Sequence, residues 1–428
     1  MVPLVTSVAQ SRLQRYGTLF ALILAGEVIF ALPFHIPRFF RPNMLEVFQL
    51  SNTQLGDMFA MYGIVALLAY YPGGAIADRF AARSLLTLSL VATALGGFYL
   101  YTVPSLNGLY LLFAYWGLTS ILLFWAALIK ATRDWGGPTT QGLAFGILDG
   151  GRGLVASVLA TLAVLMLSAR LTETGSAQQG MQSVILFYSG VSLAAAAVIW
   201  LTLPAKDAAI TNLPAARRAH WRIVFAEPSV WLQALIVVCA YCGYKALDNY
   251  GVYAVEVLDM SQLEAASLNT YASFSRPLAA IAAGLWVDHW RASKLLVLLF
   301  GIAMLAFYAL STELAATFST TLILANLLVT FFAVYALRGI YFCLMEESQL
   351  DKRITGSAVG LISVIGFTPD IFFAAIAGRI LDANPGAVGF QNYFLLLALI
   401  CAVGMGAALI LSRRISRQQL AAQPGTAA

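Results

Sequence analysis

Apolar runs long enough to cross a hydrocarbon core recur from one end of this chain to the other, and nothing else in it restricts the fold as strongly. A core of roughly 30 Å needs about twenty helical residues. Runs of that kind fall near 16–39, 53–77, 84–104, 107–130, 142–168, 183–203, 229–255, 265–287, 295–312, 319–345, 357–381 and 391–412, each bounded by charge, glycine, proline or asparagine. Lipid offers no partner to an unpaired backbone group, so spanning segments are helices or closed barrels, and no alternation of period two points to a barrel. The expectation is an all-α membrane protein with twelve transmembrane helices. Its 11% charged residues agree with that, since a soluble domain carries about 25%. The first run is too long for the core of a cleaved signal and reads as the first helix.

Basic residues set the orientation. Seventeen of the 25 fall on one side: Arg12, Arg15, Arg79, Arg83, Lys130, Arg133, Lys206, Arg217, Arg218, Arg222, Arg291, Lys294, Lys352, Arg353, Arg413, Arg414 and Arg417. Only Arg38, Arg41, Arg170 and Arg379 fall on the other, and four lie within spans. Both termini are therefore expected in the cytoplasm of a bacterial inner-membrane protein. The longest polar connection, 204–228, follows the sixth span and carries Arg217, Arg218 and Arg222. It divides the chain into a six-helix bundle at 1–203, a cytoplasmic linker, and a second six-helix bundle at 229–428 with a short tail.

Enzymatic chemistry finds little purchase. His35, His220 and His289 are scattered, and no metalloprotease, phosphate-loop or nucleophile-elbow motif is present. Cys239, Cys242, Cys343 and Cys401 lie in apolar stretches and read as small packing residues. No metal, cofactor or nucleic acid is called for, and the net charge of +5 belongs to the loops facing the membrane surface.

After the second span comes Gly74-Ala-Ile-Ala-Asp78-Arg79-Phe-Ala-Ala-Arg83, and after the eighth Gly284-Leu-Trp-Val-Asp288-His289-Trp-Arg291-Ala-Ser-Lys294. The glycines are 210 residues apart (284 − 74), close to half the chain. One tight turn with one acid at the same place in each half argues for duplicated units. Glycine permits close helix approach, the aspartate can face the positive end of a neighbouring helix, and the basic residues hold the loop in the cytoplasm.

This loop resembles the signature of the major facilitator superfamily, G-x-x-x-D-R-x-x-x-R, between helices two and three. With the six-plus-six division, the resemblance covers the chain. Ala81 stands where the family usually has a second glycine, and His289 replaces a basic residue in the second copy. The antiporter motif of helix five is missing, which weighs against a multidrug exporter. Gln141-Gly142, Phe145-Gly146 and Gly151-Arg152-Gly153, with Arg338, Thr355-Gly356, Gly366, Pro369 and Ile380-Leu381-Asp382-Ala-Asn384-Pro385-Gly386, resemble the YihN-like bacterial permeases, a branch grouped loosely with sugar-phosphate or nitrate carriers. The resemblance implies a transporter whose loop residues Gly74, Asp78, Arg79, Arg83, Gly284 and Asp288 take part in gating.

Eight ionisable residues lie well within predicted spans: Glu27, Asp149, Arg152, Lys245, Asp248, Arg276, Arg338 and Asp370. Each would cost roughly 2.5–3.5 kcal/mol against lipid, so they should face a cavity or one another. Spans three, six, nine and twelve hold none, and in the superfamily that the loop resembles these are the spans that brace the outside. Four acids balance four bases, enough for every charge to be paired. Asp149 with Arg152, and Lys245 with Asp248, are three apart and share a helix face. Arg276 and Arg338 have no acid on their own helices, and a guanidinium offers a planar fork for carboxylate or phosphate. They are the leading substrate-binding candidates, with pairing to Glu27 or Asp370 as the competing role. Arg152 and Lys245 join them, and Tyr241, Tyr244, Trp125, Phe274 and Tyr341 are placed to flank a solute or to pack.

A carboxyl in low dielectric favours its neutral form, which suits a proton carrier, so Asp370 and then Glu27 are expected to couple protons. The expected function is secondary active transport of a small polar, anionic organic solute, with a monomer carrying solute and proton. Export of a neutral or cationic compound and a non-transporting sensor on the same fold are the rival readings.

Overall fold

A computed structural model describes residues 12–137, 141–205, 221–287, 289–348 and 355–422, and among them every regular element is helical. Ten helices are long and apolar enough to cross a membrane: Asn52–Arg79, Ala82–Tyr101, Leu106–Gly136, Gly146–Thr174, Ala177–Thr202, Pro228–Glu256, Ala292–Ser311, Thr320–Glu347, Ala358–Ala383 and Ala387–Gln419. An eleventh is a bent pair, Arg15–Val28 with Ala31–Phe39, meeting at 42°. Pro33 lies in this break, where the missing amide hydrogen leaves a wide turn over Ala31–His35.

The span expected at 265–287 is not one continuous helix. It is divided into Gln262–Ser273 and Ser275–Val287, with Phe274 at the junction. Pro277 withholds the amide that Ser273 would have bonded, and Asn269, Thr270, Ser273 and Arg276 make the segment too polar to read as an uninterrupted lipid-facing helix.

Buried apolar side chains gather in two clusters. One draws on residues between Ala21 and Leu203, with Ala266 and Ala374 joining it from beyond. The other runs from Val224 to Ile415. The helices whose charges lie only near their ends pack in pairs, Ala82–Tyr101 on Ala177–Thr202 and Ala292–Ser311 on Ala387–Ala422, while Leu88, Leu95, Leu201, Leu305 and Leu399 point away from the protein.

The clusters are tied together at one end. Helices Asn52–Arg79 and Pro369–Ala383 touch backbone to backbone: a Cβ on Gly56 would lie 2.3 Å from the Ala374 carbonyl oxygen, and one on Gly378 2.3 Å from that of Asn52. Asp382 accepts from the amides of Asn52 (3.1 Å) and Thr53 (2.7 Å), capping the positive end of the second span from the opposite cluster. Arg379 donates to both carboxylate oxygens of Asp57 at 2.8 and 3.2 Å, Asn43 donates to Gln262 at 2.5 Å, and Gln262 donates to Glu46. Toward the other end Tyr71 is 92% exposed, with Leu285 and Trp286 also exposed.

Candidate solute site between the two helix clusters

The wide turn in the first helix carries the chain inward, so Arg38 and Arg41, counted from sequence on the outer side, are buried beside His35 of the same span. Arg38 and Arg41 are thus buried charges rather than exposed loop charges. Arg41 donates to the Asn52 side-chain oxygen at 3.3–3.4 Å. Lys130, read as a loop residue, is likewise buried and donates to the Ala77 carbonyl at 2.9 Å.

Two groups of charges form at mid-height. The first centres on Glu27, whose carboxylate is 5% exposed. Arg152 Nε donates to it at 3.0 Å, His35 Nε2 donates at 3.1 Å, and Arg276 Nη1 stands 3.6 Å away. Asp149 faces Arg152 at 3.8 Å and Arg276 at 3.5 Å, with its side chain 55% exposed toward the opening. Arg276 thus pairs between helices, the role that competed with solute contact. Trp125 edges Phe30 at 6.1 Å, and both rings lie near the Arg152 guanidinium.

The second group joins the clusters. Arg38 Nε donates to Asp248, and Arg38 Nη1 donates to the Tyr244 hydroxyl at 2.5 Å. Lys245 Nζ lies 3.6 Å from Asp248 and 3.3 Å from Asp370, whose carboxylate also accepts from Tyr241 at 3.0 and 3.1 Å. Neither proton-carrier candidate is therefore without a basic neighbour. Arg38 and Asp248 are 210 residues apart, the offset that separates Gly74 from Gly284. The ion pair therefore joins two positions separated by the same offset as the two loop copies.

The buried Arg38 changes the tally from four acids and four bases to four acids and five bases: Glu27, Asp149, Asp248 and Asp370 against Arg38, Arg152, Lys245, Arg276 and Arg338. Arg338 is the base without a carboxylate within 4.0 Å among the described residues. It lies 4.0 Å over the Tyr244 ring, whose centroid is 4.3 Å from the Arg38 guanidinium. Arg338 Nη1 and Arg276 Nη2 are buried donors without a hydrogen-bond acceptor. A recess bounded by Glu27, Arg38, Arg276 and Tyr335 has only about 10 Å³ of free space, roughly one water. A solute must therefore meet these groups from the exposed side, where Asp149 and the partly exposed Arg338 stand.

The remaining candidates are placed unevenly. Tyr241 and Tyr244 pack 5.6 Å apart within the second group. Tyr341 is buried against Phe342 at 4.6 Å, and Phe274 sits at the helix junction. In the loop region Arg83 lies 3.9 Å over Trp200, while space surrounds Gly74 and Gly284. Asp288 lies outside the described residues. The acid that faces a helix start here is Glu347, which accepts from the Ser293 amide (2.8 Å) and hydroxyl (2.7 Å). Sequence reading missed it because it comes from a distant segment.

Comparison with known proteins places this arrangement. The family model described as Major Facilitator Superfamily matches residues 19–374. The chain is similar to the inner membrane protein YihN of Escherichia coli (strain K12), at 28% identity over 94% of this chain and 96% of that one. It is also similar to the inner membrane protein YqcE of the same organism, at 25% identity over 90% and 91%. Among solved structures, an inward-facing, unoccupied bacterial homolog of the human lysosomal transporter Spinster superposes with a TM-score of 0.73 at 16% identity, over 95% of this chain and 99% of that one. The nucleoside transporter NupG gives 0.68 at 14% identity, over 93% and 98%.

Proposed function

Since the chain belongs to the major facilitator superfamily, and so is a multi-pass membrane transporter rather than an enzyme, we propose that it carries a small organic anion across the inner membrane by alternating access, coupled to protons, as a monomer. The surplus positive charge carries the anionic reading. With five buried or partly buried bases against four acids, an anion entering from the exposed side would complete the charge balance that the protein alone leaves open. Arg338 is the primary anion contact, through a guanidinium fork suited to carboxylate or phosphate. Arg276 is the second, exchanging its hold on Asp149 for the solute. Arg152 and Lys245 set the field around the site, and Tyr241, Tyr244 and Trp125 supply its walls.

Asp370 is the first candidate for the coupling proton, because its carboxylate is 23% exposed and is held by Lys245 and the Tyr241 hydroxyl. Glu27, enclosed by two arginines and His35, ranks second. Both termini and the linker are assigned to the cytoplasm, which makes the end away from the Gly56–Ala374 and Gly378–Asn52 contacts the cytoplasmic one and the conformation inward-open. The two six-helix units, 1–203 and 229–428, would rock about the Arg38–Asp248 pair, with the Gly74–Arg83 loop and its second copy gating the cytoplasmic end.

A stability screen tests this reading. A ligand that binds only the folded site raises the melting temperature, with a stabilisation that grows as RT ln(1 + L/Kd), where L is the free ligand concentration. Compounds that stabilise the wild type should be carboxylates or phosphates, and Arg338→Ala should lose the shift. Stabilisation by neutral or cationic compounds, unchanged in Arg338→Ala, would count against an anion site.

A further inference from the structure

On the outer surface, away from the solute path, an open groove of about 1040 Å³ runs between the start of the seventh span and the end of the twelfth. Its floor is apolar, made by Leu232, Leu235 and Ile410, with Trp231 at the side. Trp231 Nε1 donates to the Phe225 carbonyl at 2.9 Å and the two rings stand 6.0 Å apart, which fixes an aromatic corner at the interfacial level. Arg413, Arg414 and Arg417 form the rim. Glu227 caps the seventh span by accepting from the Ser229 amide at 3.1 Å, and of the three rim arginines it pairs with Arg414, at 3.4 Å. Arg413 and Arg417 have no carboxylate partner among the described residues, and Arg414 Nε is a buried donor without an acceptor.

An apolar floor entering the bilayer beneath a cationic rim matches one chemistry: a phosphodiester headgroup with acyl chains below it. We infer that this groove holds an anionic phospholipid, its phosphate among the three guanidinium groups and its chains along Leu232, Leu235 and Ile410. The segment 206–220 of the chain itself is the nearest competitor. It carries Lys206, Arg217 and Arg218 against Asp207 alone, the same sign as the rim, and does not complement it. Guanidinium groups so close together repel unless an anion intervenes, so lipid occupancy should stabilise the joint between the linker and the second helical unit.

The test is made on the full chain in nanodiscs of phosphatidylcholine with and without phosphatidylglycerol, reading retained lipid by native mass spectrometry and the melting temperature. Wild type should retain phosphatidylglycerol and melt higher in its presence. Arg413→Gln with Arg417→Gln should weaken retention roughly thirtyfold and lose most of the shift while melting normally in phosphatidylcholine. Ile410→Trp keeps every charge but fills the floor, and should lose retention as well. A control pair on other loops, Arg133→Gln with Lys294→Gln, should retain the lipid. Retention intact in the Arg413/Arg417 pair or in Ile410→Trp would overturn the inference. So would equal loss in the control pair, or inorganic phosphate alone reproducing the shift.

Discussion

At the scale of single residues, the informative contrast is between Arg338 and Glu27. Arg338 has no carboxylate partner among the described residues, so replacing it does not strand a charge. Arg338→Lys keeps the charge and loses the fork, and should weaken anion binding about tenfold, with the melting temperature of the empty protein little changed. Isothermal titration with a ligand from the stability screen reads this, and equal affinity would remove the bidentate role. Glu27 is the opposite case. It compensates Arg152 and Arg276, and breaking a buried pair costs about 3–5 kcal/mol, so Glu27→Gln should act first on stability. Asp370→Asn should abolish accumulation driven by a pH gradient while leaving exchange at equal concentrations. Persistence of gradient-driven accumulation would move the proton site elsewhere.

The sequence already contained the intramembrane charges and the two local pairs, because residues three apart on a helix must neighbour each other. It did not reveal that Arg38 belongs with them. The bend at Ala31–His35 depends on how Pro33 and Pro37 are accommodated between neighbouring helices, and a charge after a run of aromatics and prolines reads equally well as a loop.

Among elements, the contact between the second and eleventh spans decides which end of the molecule is closed. It rests on two glycines that let backbones touch, on Asp382 capping the other helix, and on the Arg379–Asp57 pair. Two perturbations should release it by different routes. Gly378→Val inserts a side chain where a Cβ is already 2.3 Å from a carbonyl oxygen. Asp382→Asn removes the charge from the helix cap, worth about 1 kcal/mol. Both should lengthen the distance between spin labels at Gln54 and Asn384, the glycine variant more. An unchanged distance in Gly378→Val would show that this contact does not hold the end closed. Sequence marked the motif containing Asp382 by family resemblance, but its partner amides come from a helix 329–330 residues away, which no local pattern could supply. The divided span at 262–287 was hidden for a related reason: Asn269, Thr270, Ser273 and Arg276 are buried against protein, and that burial comes from packing partners far away in sequence.

For the whole molecule, the class of fold followed from apolar length and the repeat of one loop, both of which are one-dimensional signals. The relation between the two helix clusters is three-dimensional, and it shows most plainly in one buried ion pair, Arg38 with Asp248, 210 residues apart. The basic asymmetry predicts that reporters fused at Thr211 and at Ala428 both read cytoplasmic. A periplasmic signal at either would reverse the assignment of the open end.

The central claim is that binding at Arg338 leads to passage through the membrane. Proteoliposome uptake of a labelled ligand from the stability screen tests it most directly, with unlabelled ligand inside the vesicles to drive counterflow. The account predicts saturable uptake, accelerated by ligand on the far side as alternating access requires, and lost in Arg338→Ala. Tight binding with no flux would contradict it and make the protein a sensor on a transporter fold, and flux indifferent to Arg338→Ala would place the solute path elsewhere.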